Sequence, residues 1–128
     1  MKKRSIVLAA LALLGASSWV MAADLSDNME TIADNYKIVL KTDSVDKLKQ
    51  SLENMRAAAT EAQKATPPKL KSKASDSAER VSYREGMTLL ISQIDQSLAL
   101  ANQGKLEEAR KVAKDFKQTR DTNHKKFR

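Results

Sequence analysis

The chain has 128 residues, with 23 Lys or Arg against 16 Asp or Glu, one histidine and no cysteine. This length predicts one domain with a core of modest size, and the absence of cysteine excludes a disulfide framework, thiolate metal sites and covalent C-x-x-C-H haem attachment. Mixed charge and an aromatic content of 4% argue against a nucleic-acid binder.

The first 22 residues have the three parts of a secretory signal. Basic residues at 2–4 precede an apolar run over 6–14, and a small-residue tripeptide follows at 20–22. We expect cleavage after Ala22, export to the periplasm, and a domain over 23–128 with 20 basic and 16 acidic residues. The apolar run is too short to span a bilayer, and no later stretch is long and apolar enough to do so.

Two amphipathic helices are predicted in the first half of the domain. Asp24 or Ser26 can cap the first helix. Its apolar stripe consists of Leu25, Met29, Ile32, Tyr36 and Val39. A turn at 42–44 supplies the next N-cap. The second stripe consists of Val45, Leu48, Leu52, Met55, Ala59 and Ala62. Pro67 and Pro68 end this helix because proline lacks the N–H donor and disfavours helical backbone before it.

Two further helices follow a polar connection over 69–76, which is long enough to be mobile. Ser77, or Asp76 with Glu79, can cap the third helix. Its stripe consists of Tyr83, Met87, Leu90, Ile94, Leu98 and Ala101. Gly104 is expected to end it in the left-handed conformation. The fourth stripe consists of Leu106, Ala109, Ala113, Phe116, Arg120, His124 and Phe127. This last stripe changes from apolar to ionisable near its end.

Four helices of about twenty residues with short, long and short connections predict an all-α fold, an antiparallel up-down-up-down four-helix bundle. No strand pattern competes with this interpretation. In such a bundle the start of the first helix, the end of the second, the start of the third and the end of the fourth share one end.

The only histidine, His124, lies about four residues before the end of the fourth helix, and Met29 lies about five residues into the first. At 1.5 Å per residue, both are roughly 6 to 8 Å from the shared end, on stripes predicted to face inward. A lone histidine can also be a hydrogen-bonded core residue, and methionine often fills cores. These alternatives stay open on the spacing alone.

The second helix has unusually small residues near the same end. They are Ala57, Ala58, Ala59 and Ala62. Such small side chains can leave a cavity between the helices. Alternatively, they allow close helix packing or reflect the high helix propensity of alanine. Tyr83 and Met87 lie at a similar depth. A cavity between a thioether and an imidazole suits a flat ligand bound at two axial positions, and haem iron accepts such a pair.

Arg120 and Arg128 lie one helical turn before and after His124. Guanidinium groups there can meet the two carboxylates of a haem, or they can form an ordinary basic last turn that complements the helix dipole.

A zinc hydrolase is disfavoured because one histidine without paired carboxylates gives too few ligands. No pair of nucleophile and base is visible either.

Collinear blocks along the whole predicted domain resemble the soluble periplasmic cytochrome b562 family. The blocks are Ala23-Asp24-Leu25, Asp27-Asn28-Met29-Glu30-Thr31, Met55-Arg56-Ala57-Ala58-Ala59, Ala62-Gln63-Lys64-Ala65-Thr66-Pro67-Pro68-Lys69-Leu70, Gln93-Ile94-Asp95, Leu100-Ala101-Asn102, Gly104-Lys105, and the closing His124 and Arg128. The resemblance implies the same antiparallel bundle, for which this family is a standard example.

The resemblance also implies one noncovalent haem b per chain, six-coordinate, with Met29 and His124 as axial iron ligands. Arg120 and Arg128 match the family's basic residues beside the histidine. The family tends to have two phenylalanines early in the third helix, where this chain has Tyr83 and Met87 against the haem. Nearby Glu85 adds a carboxylate, and we expect these changes to alter haem affinity and reduction potential.

We therefore expect a monomeric periplasmic electron carrier that is not an enzyme. Lys125 and Lys126 beside the haem edge favour an acidic redox partner, whose identity the sequence does not give. Two alternatives share the scaffold. One is a haem-free periplasmic bundle that acts as a binding or adaptor protein, and the other is a haem carrier that releases its haem rapidly.

Overall fold

The computed structural model describes residues 25–127, so the predicted signal segment at 1–22, the next two residues and Arg128 lie outside the described residues. The predicted all-α fold is confirmed for the described part, which contains no strand. Its α-helices are α1 (Leu25–Lys41), α2 (Val45–Lys64), α3 (Ala78–Asn102) and α4 (Leu106–Phe127), with a short 3-10 helix at Pro68–Leu70.

The ends of the helices follow the local signals in the sequence. The Ser44 side chain accepts a hydrogen bond from the backbone N–H of Lys47, and the Ser77 side chain accepts one from Arg80. Ser77, rather than Asp76, is therefore the cap of α3. Gly104 has a φ of 77° and follows the end of α3 in the left-handed region, as predicted.

The predicted stripes supply most of the core. Its buried apolar residues are Ile32, Tyr36, Val39, Leu48, Leu52, Met55, Ala58, Ala59, Ala62, Leu70, Tyr83, Met87, Leu90, Ile94, Ala101, Ala109, Ala113 and Phe116. Met29 and Leu98 are half-buried against this core. Ala57 faces solvent, so its predicted place beside the other alanines in the interior is wrong.

The helices form a closed antiparallel ring in which each packs against the next. Polar pairs that join successive helices are Asn54 to Asn35 at 3.1 Å, Arg56 to Asp95 at 2.6 Å, and Ser97 to Ala109 at 2.8 Å. The first and last helices, α1 and α4, close the ring, but they contact each other far less than successive helices do. None of the described helices has the length and apolar character needed to cross a membrane.

The connection between α2 and α3 is held more firmly than its composition predicts. Leu70 is buried in the core. The Arg80 guanidinium donates to the Thr66 hydroxyl at 2.7 Å and to the Lys73 carbonyl at 3.1 Å. Lys73 also pairs with Glu79 at 3.1 Å, which lowers the pKa of Glu79. An apolar anchor and these bonds attach the lysine-rich segment to the bundle.

Candidate functional site

Tyr36 on α1 establishes how α1 and α4 are aligned. Its hydroxyl donates a hydrogen bond to the carbonyl oxygen of Ala113 at 2.8 Å. Its ring centroid lies 5.7 Å from that of Phe116. Tyr36 therefore lies opposite the turn of α4 that contains Ala113 and Phe116.

This alignment brings Met29 and His124 to the same level of the bundle. Met29 comes seven residues before Tyr36, and the residue next to His124 comes seven after Phe116, so each is displaced by roughly 10 Å toward the same end. Seven residues are about two helical turns, so Met29 shares the α4-facing side of α1 with Tyr36. The depth match expected from counting residues agrees with this contact.

His124 lies on the side of α4 that faces α1. Three residues of α4 contact α1 or the turn after it: Arg110 donates to the carbonyl of Thr42, Ala113 accepts from Tyr36, and Arg120 lies over the Tyr36 ring. At about 100° per residue, His124 falls between Arg120 and Arg110 around the helix axis. His124 therefore lies on the part of α4 next to the seam, the line along which α1 and α4 face each other.

Burial differs between the two residues. Met29 is half-buried and packs against the core, whereas the His124 side chain is exposed and makes no hydrogen bond or ion pair with another described residue. His124 is thus on the predicted α1-facing side of α4, but its side chain is exposed rather than buried in the core. The exposed imidazole lies beside the seam where α1 and α4 have few contacts with each other.

Arg120 lies one turn before His124 and is held by two neighbours. Its guanidinium carbon is 5.9 Å from the centroid of the Tyr36 ring, a cation–π distance. Asp121 approaches the same guanidinium at 3.4 Å. The Arg120 side chain is 38% exposed and so reaches the edge of the α1–α4 seam. Its predicted counterpart, Arg128, lies outside the described residues.

Tyr83 and Met87 form part of the core where α3 begins. The Tyr83 hydroxyl donates a hydrogen bond to the carbonyl oxygen of Ala62 at 2.6 Å. Burial raises the pKa of Tyr83 to about 12, so its phenol stays a neutral donor near neutral pH. Met87 is buried beside it along α3. The resemblance leads us to expect phenylalanine at this position. The additional hydroxyl of Tyr83 has its hydrogen-bond partner in the protein backbone.

A groove of about 650 Å³ runs along the outer side of α3 and α4, away from α1. Its walls include Glu85, Leu89 and Lys126. At Gly86 the helices come close, since a Cβ added there would lie 2.8 Å from Cγ of Asn123. Periodicity did not predict this groove, because Leu89 and Glu85 lie outside the apolar stripe of α3.

The donor set of the α1–α4 seam fits a haem. Among residues 25–127, no three His, Cys, Asp or Glu side chains lie together where they could hold a metal ion. A haem needs only two protein ligands because the porphyrin supplies the other four, and a thioether with an imidazole is an accepted axial pair. Neither Met29 nor His124 makes a polar contact with another described residue, and the two lie at one level, as this axial pair requires.

The Tyr36–Arg120 contact is the feature of the site that sequence reasoning missed. The apolar stripe correctly predicts that Tyr36 lies in the core, but it does not predict that Tyr36 is a polar link to α4. A buried tyrosine usually needs a hydrogen-bond partner, and this rule was the available signal. The identity of that partner depends on how α1 and α4 are aligned, which periodicity does not give.

Comparison with known proteins adds an independent result. The model of the protein family described as Cytochrome b562 matches residues 24–128. Two proteins of Yersinia pestis align over 128 residues, covering 100% of this chain and 100% of their own length. "Probable soluble cytochrome b562 2" is 56% identical and "Probable soluble cytochrome b562 1" is 40% identical. The matched segment includes all four helices and the Met29–His124 pair.

Proposed function

This chain belongs to the cytochrome b562 family, and from that premise we propose that it is a periplasmic b-type cytochrome that carries single electrons on one noncovalently bound haem. The observation that carries the proposal is the juxtaposition of Met29 and His124. One is a half-buried thioether and the other an imidazole free of described partners, at one level of α1 and α4. Family membership supports the choice of haem for this donor pair.

Met29 and His124 would hold the haem iron. When bound, the haem supplies a one-electron couple between ferric and ferrous iron, and a methionine ligand raises its reduction potential relative to two nitrogen ligands. His124 makes no hydrogen bond or ion pair with another described residue, so its imidazole can turn toward α1 without breaking one. The weak contact between α1 and α4 supports insertion at this seam.

The surrounding residues have distinct roles in the proposal. Arg120, at the seam edge, would bind a haem carboxylate, and Arg128 would bind the second. Tyr83 and Met87 would form an apolar wall, because the Tyr83 hydroxyl is already bonded to Ala62. A buried, apolar wall excludes water from the ligand face and so favours retention of the haem.

The predicted leader supports the proposed location, and two exposed lysines support the proposed kind of partner. The leader at 1–22 stays a prediction, and sequencing the N-terminus of exported protein checks whether Ala23 becomes the first residue. Lys125 and Lys126 are exposed and unpaired among the described residues, which supports a negatively charged redox partner. The bundle would work as a monomer without catalysing bond chemistry.

Absorption spectroscopy of the exported protein tests the proposal. Full-length chain is expressed with its leader, purified from the periplasm and titrated with haem. We expect saturation at one haem per chain and a low-spin, six-coordinate spectrum in both oxidation states. A spectrum that remains that of free haem throughout the titration would overturn the proposal and favour the haem-free adaptor. Rapid transfer of haem to apomyoglobin would favour the haem carrier instead.

A further inference from the structure

One side chain of α1 contacts three successive turns of α4. Tyr36 donates to the Ala113 carbonyl at 2.8 Å, packs its ring 5.7 Å from the ring of Phe116, and lies 5.9 Å beneath the guanidinium of Arg120. These contacts lie on the seam where α1 and α4 otherwise have few contacts. Tyr36 is therefore a major determinant of how the two helices are aligned.

The hydroxyl and the ring of Tyr36 act on different parts of α4. The hydroxyl reaches back toward the start of α4, where it bonds a backbone carbonyl. The ring supports Arg120, which is one turn from His124. Burial raises the pKa of Tyr36 despite the opposing effects of a backbone hydrogen bond and the positive charge of Arg120, so the phenol keeps its proton at neutral pH. The neutral phenol can therefore donate to the Ala113 carbonyl, and the ring can support Arg120, at neutral pH.

Arg120 needs such support to reach one fixed position. A long arginine side chain at 38% exposure has many rotamers, and its Asp121 neighbour draws the guanidinium along the surface of α4. The face of the Tyr36 ring gives a second attraction, directed across the seam. Together the two neighbours restrict Arg120 to the rim of the Met29–His124 site.

We propose that Tyr36 is a positioning residue that holds the Arg120 guanidinium at the edge of the Met29–His124 site. The inference rests on the proposed function, in which Arg120 binds a haem carboxylate. It goes further by assigning the orientation of that arginine to a residue that does not itself need to touch the haem. A tyrosine that only fills the core would not have this effect.

A double-mutant cycle between Tyr36 and Arg120 tests the inference. Full-length Tyr36→Leu, Arg120→Gln and the double variant are loaded with haem, and the rate of haem transfer to apomyoglobin is measured. We expect each single change to accelerate transfer about two- to fivefold, the range of one exposed cation–π contact. The double variant should be no faster than Arg120→Gln alone, since removing the ring no longer matters without the arginine.

Two further variants separate positioning from general loss of stability. Tyr36→Phe keeps the ring, so it should retain most of the slow haem transfer although its apoprotein unfolds at lower urea concentration. Val39→Ala removes a fully buried α1 residue outside the Tyr36–Arg120 contact. Its effect on transfer, if any, should multiply with that of Arg120→Gln.

The outcomes distinguish this inference from the proposed function. Multiplicative effects of Tyr36→Leu and Arg120→Gln, or a Tyr36→Phe variant as fast as Tyr36→Leu, would overturn the positioning role while leaving haem binding intact. Wild-type protein that takes up no haem would overturn both. Non-additive transfer rates with rescue by phenylalanine would support the positioning role.

Discussion

The two corners at one end of this bundle differ in how they use their polar groups. Where α2 meets α3, the side chains are committed to the protein. The Tyr83 hydroxyl bonds to Ala62, and Gln63 donates to the carbonyl of Arg84 at 3.1 Å. Arg80 reaches Thr66 at 2.7 Å. This corner is closed by hydrogen bonds from side chains to the backbone or side chains of the adjacent segment.

The corner where α1 meets α4 is different. The two helices are joined further along the seam, by Tyr36 and by Arg110, whose guanidinium donates to the Thr42 carbonyl. Toward the shared end, Met29 is half-buried and His124 is exposed without a described polar partner. The seam is thus fixed at one end and open at the other.

The difference shows which corner can accept a ligand. A side chain that already satisfies a buried polar group cannot bind a ligand without leaving its partner unpaired, which costs about 1 to 3 kcal/mol. Met29 and His124 carry no such commitment. Under the proposed function, the α2–α3 corner supplies stabilising bonds and the α1–α4 corner supplies the two haem ligands.

The largest expected effect comes from removing the imidazole. His124→Ala should raise the dissociation constant for haem by more than about 100-fold, since changes to residues outside the ligand shell alone cost about 10- to 100-fold. The apoprotein should keep its stability, because the exposed side chain makes no described polar contact. Haem titration followed by absorbance, with urea unfolding of the apoprotein, measures both.

The neighbouring Lys125→Ala change is the matched control, because Lys125 is also exposed on the last turns of α4. It should leave haem affinity within about twofold of wild type, as surface substitutions usually have small effects. Equal losses in the two variants would mean that the end of α4, rather than the imidazole, controls haem binding.

A smaller effect is expected at the closed corner, at high pH. The pKa of Tyr83 is raised by burial to about 12, above the ordinary tyrosine value of 10.0. Between these values the unfolded phenol loses its proton while the folded one keeps it, so the free energy of unfolding falls as pH rises. The full contribution is present below pH 10, and about 2 kcal/mol should be lost by pH 12.

Urea unfolding of the apoprotein from pH 9 to 12 measures this slope, with Tyr83→Phe as the matched variant. Tyr36 also has a raised pKa and contributes in the same direction, so some slope should remain in the variant. An unchanged slope in Tyr83→Phe would show that burial of the Tyr83 phenol does not make the stability of the α2–α3 corner depend on pH.

The smallest effect is expected where α3 approaches α4. A Cβ at Gly86 would come too close to the Asn123 side chain, although alanine is favoured over glycine in a helix by about 1 kcal/mol. Gly86→Ala alone should therefore change the free energy of unfolding by less than that amount. The double change Gly86→Ala with Asn123→Ala should stabilise the apoprotein by about 1 kcal/mol. Chemical denaturation of wild type and these two variants measures this, and a strongly destabilised double variant would contradict the contact.

The helices were predictable because their signals are local. Ser44 and Ser77 cap α2 and α3, and Gly104 follows the end of α3, as the sequence indicated. The proline pair and the 3.6-residue spacing depend on residues only a few positions apart, so they can be interpreted without knowing the tertiary fold. Leu70 is the exception among the connections, since its anchoring in the core depends on where the other helices leave room.

The site was predictable in part. Counting residues gave the common depth of Met29 and His124, and the Tyr36 contact with α4 agrees with it. The exposure of His124 was not predicted, because periodicity tells which residues share a face of one helix and not how far two helices separate. For the same reason the Tyr36–Arg120 pairing and the outward position of Ala57 came only from the structure.

The central claim is that Met29, across the seam from His124, is the second ligand of a haem iron. The sulfur-to-iron charge-transfer absorption of the ferric protein reports this bond directly. We predict that the band is present in haem-loaded wild type, absent in Met29→Leu, and retained in Met55→Leu and Met87→Leu, whose sulfur atoms belong to buried core residues. A band that persists in Met29→Leu, or that is missing from the wild type, would contradict the account.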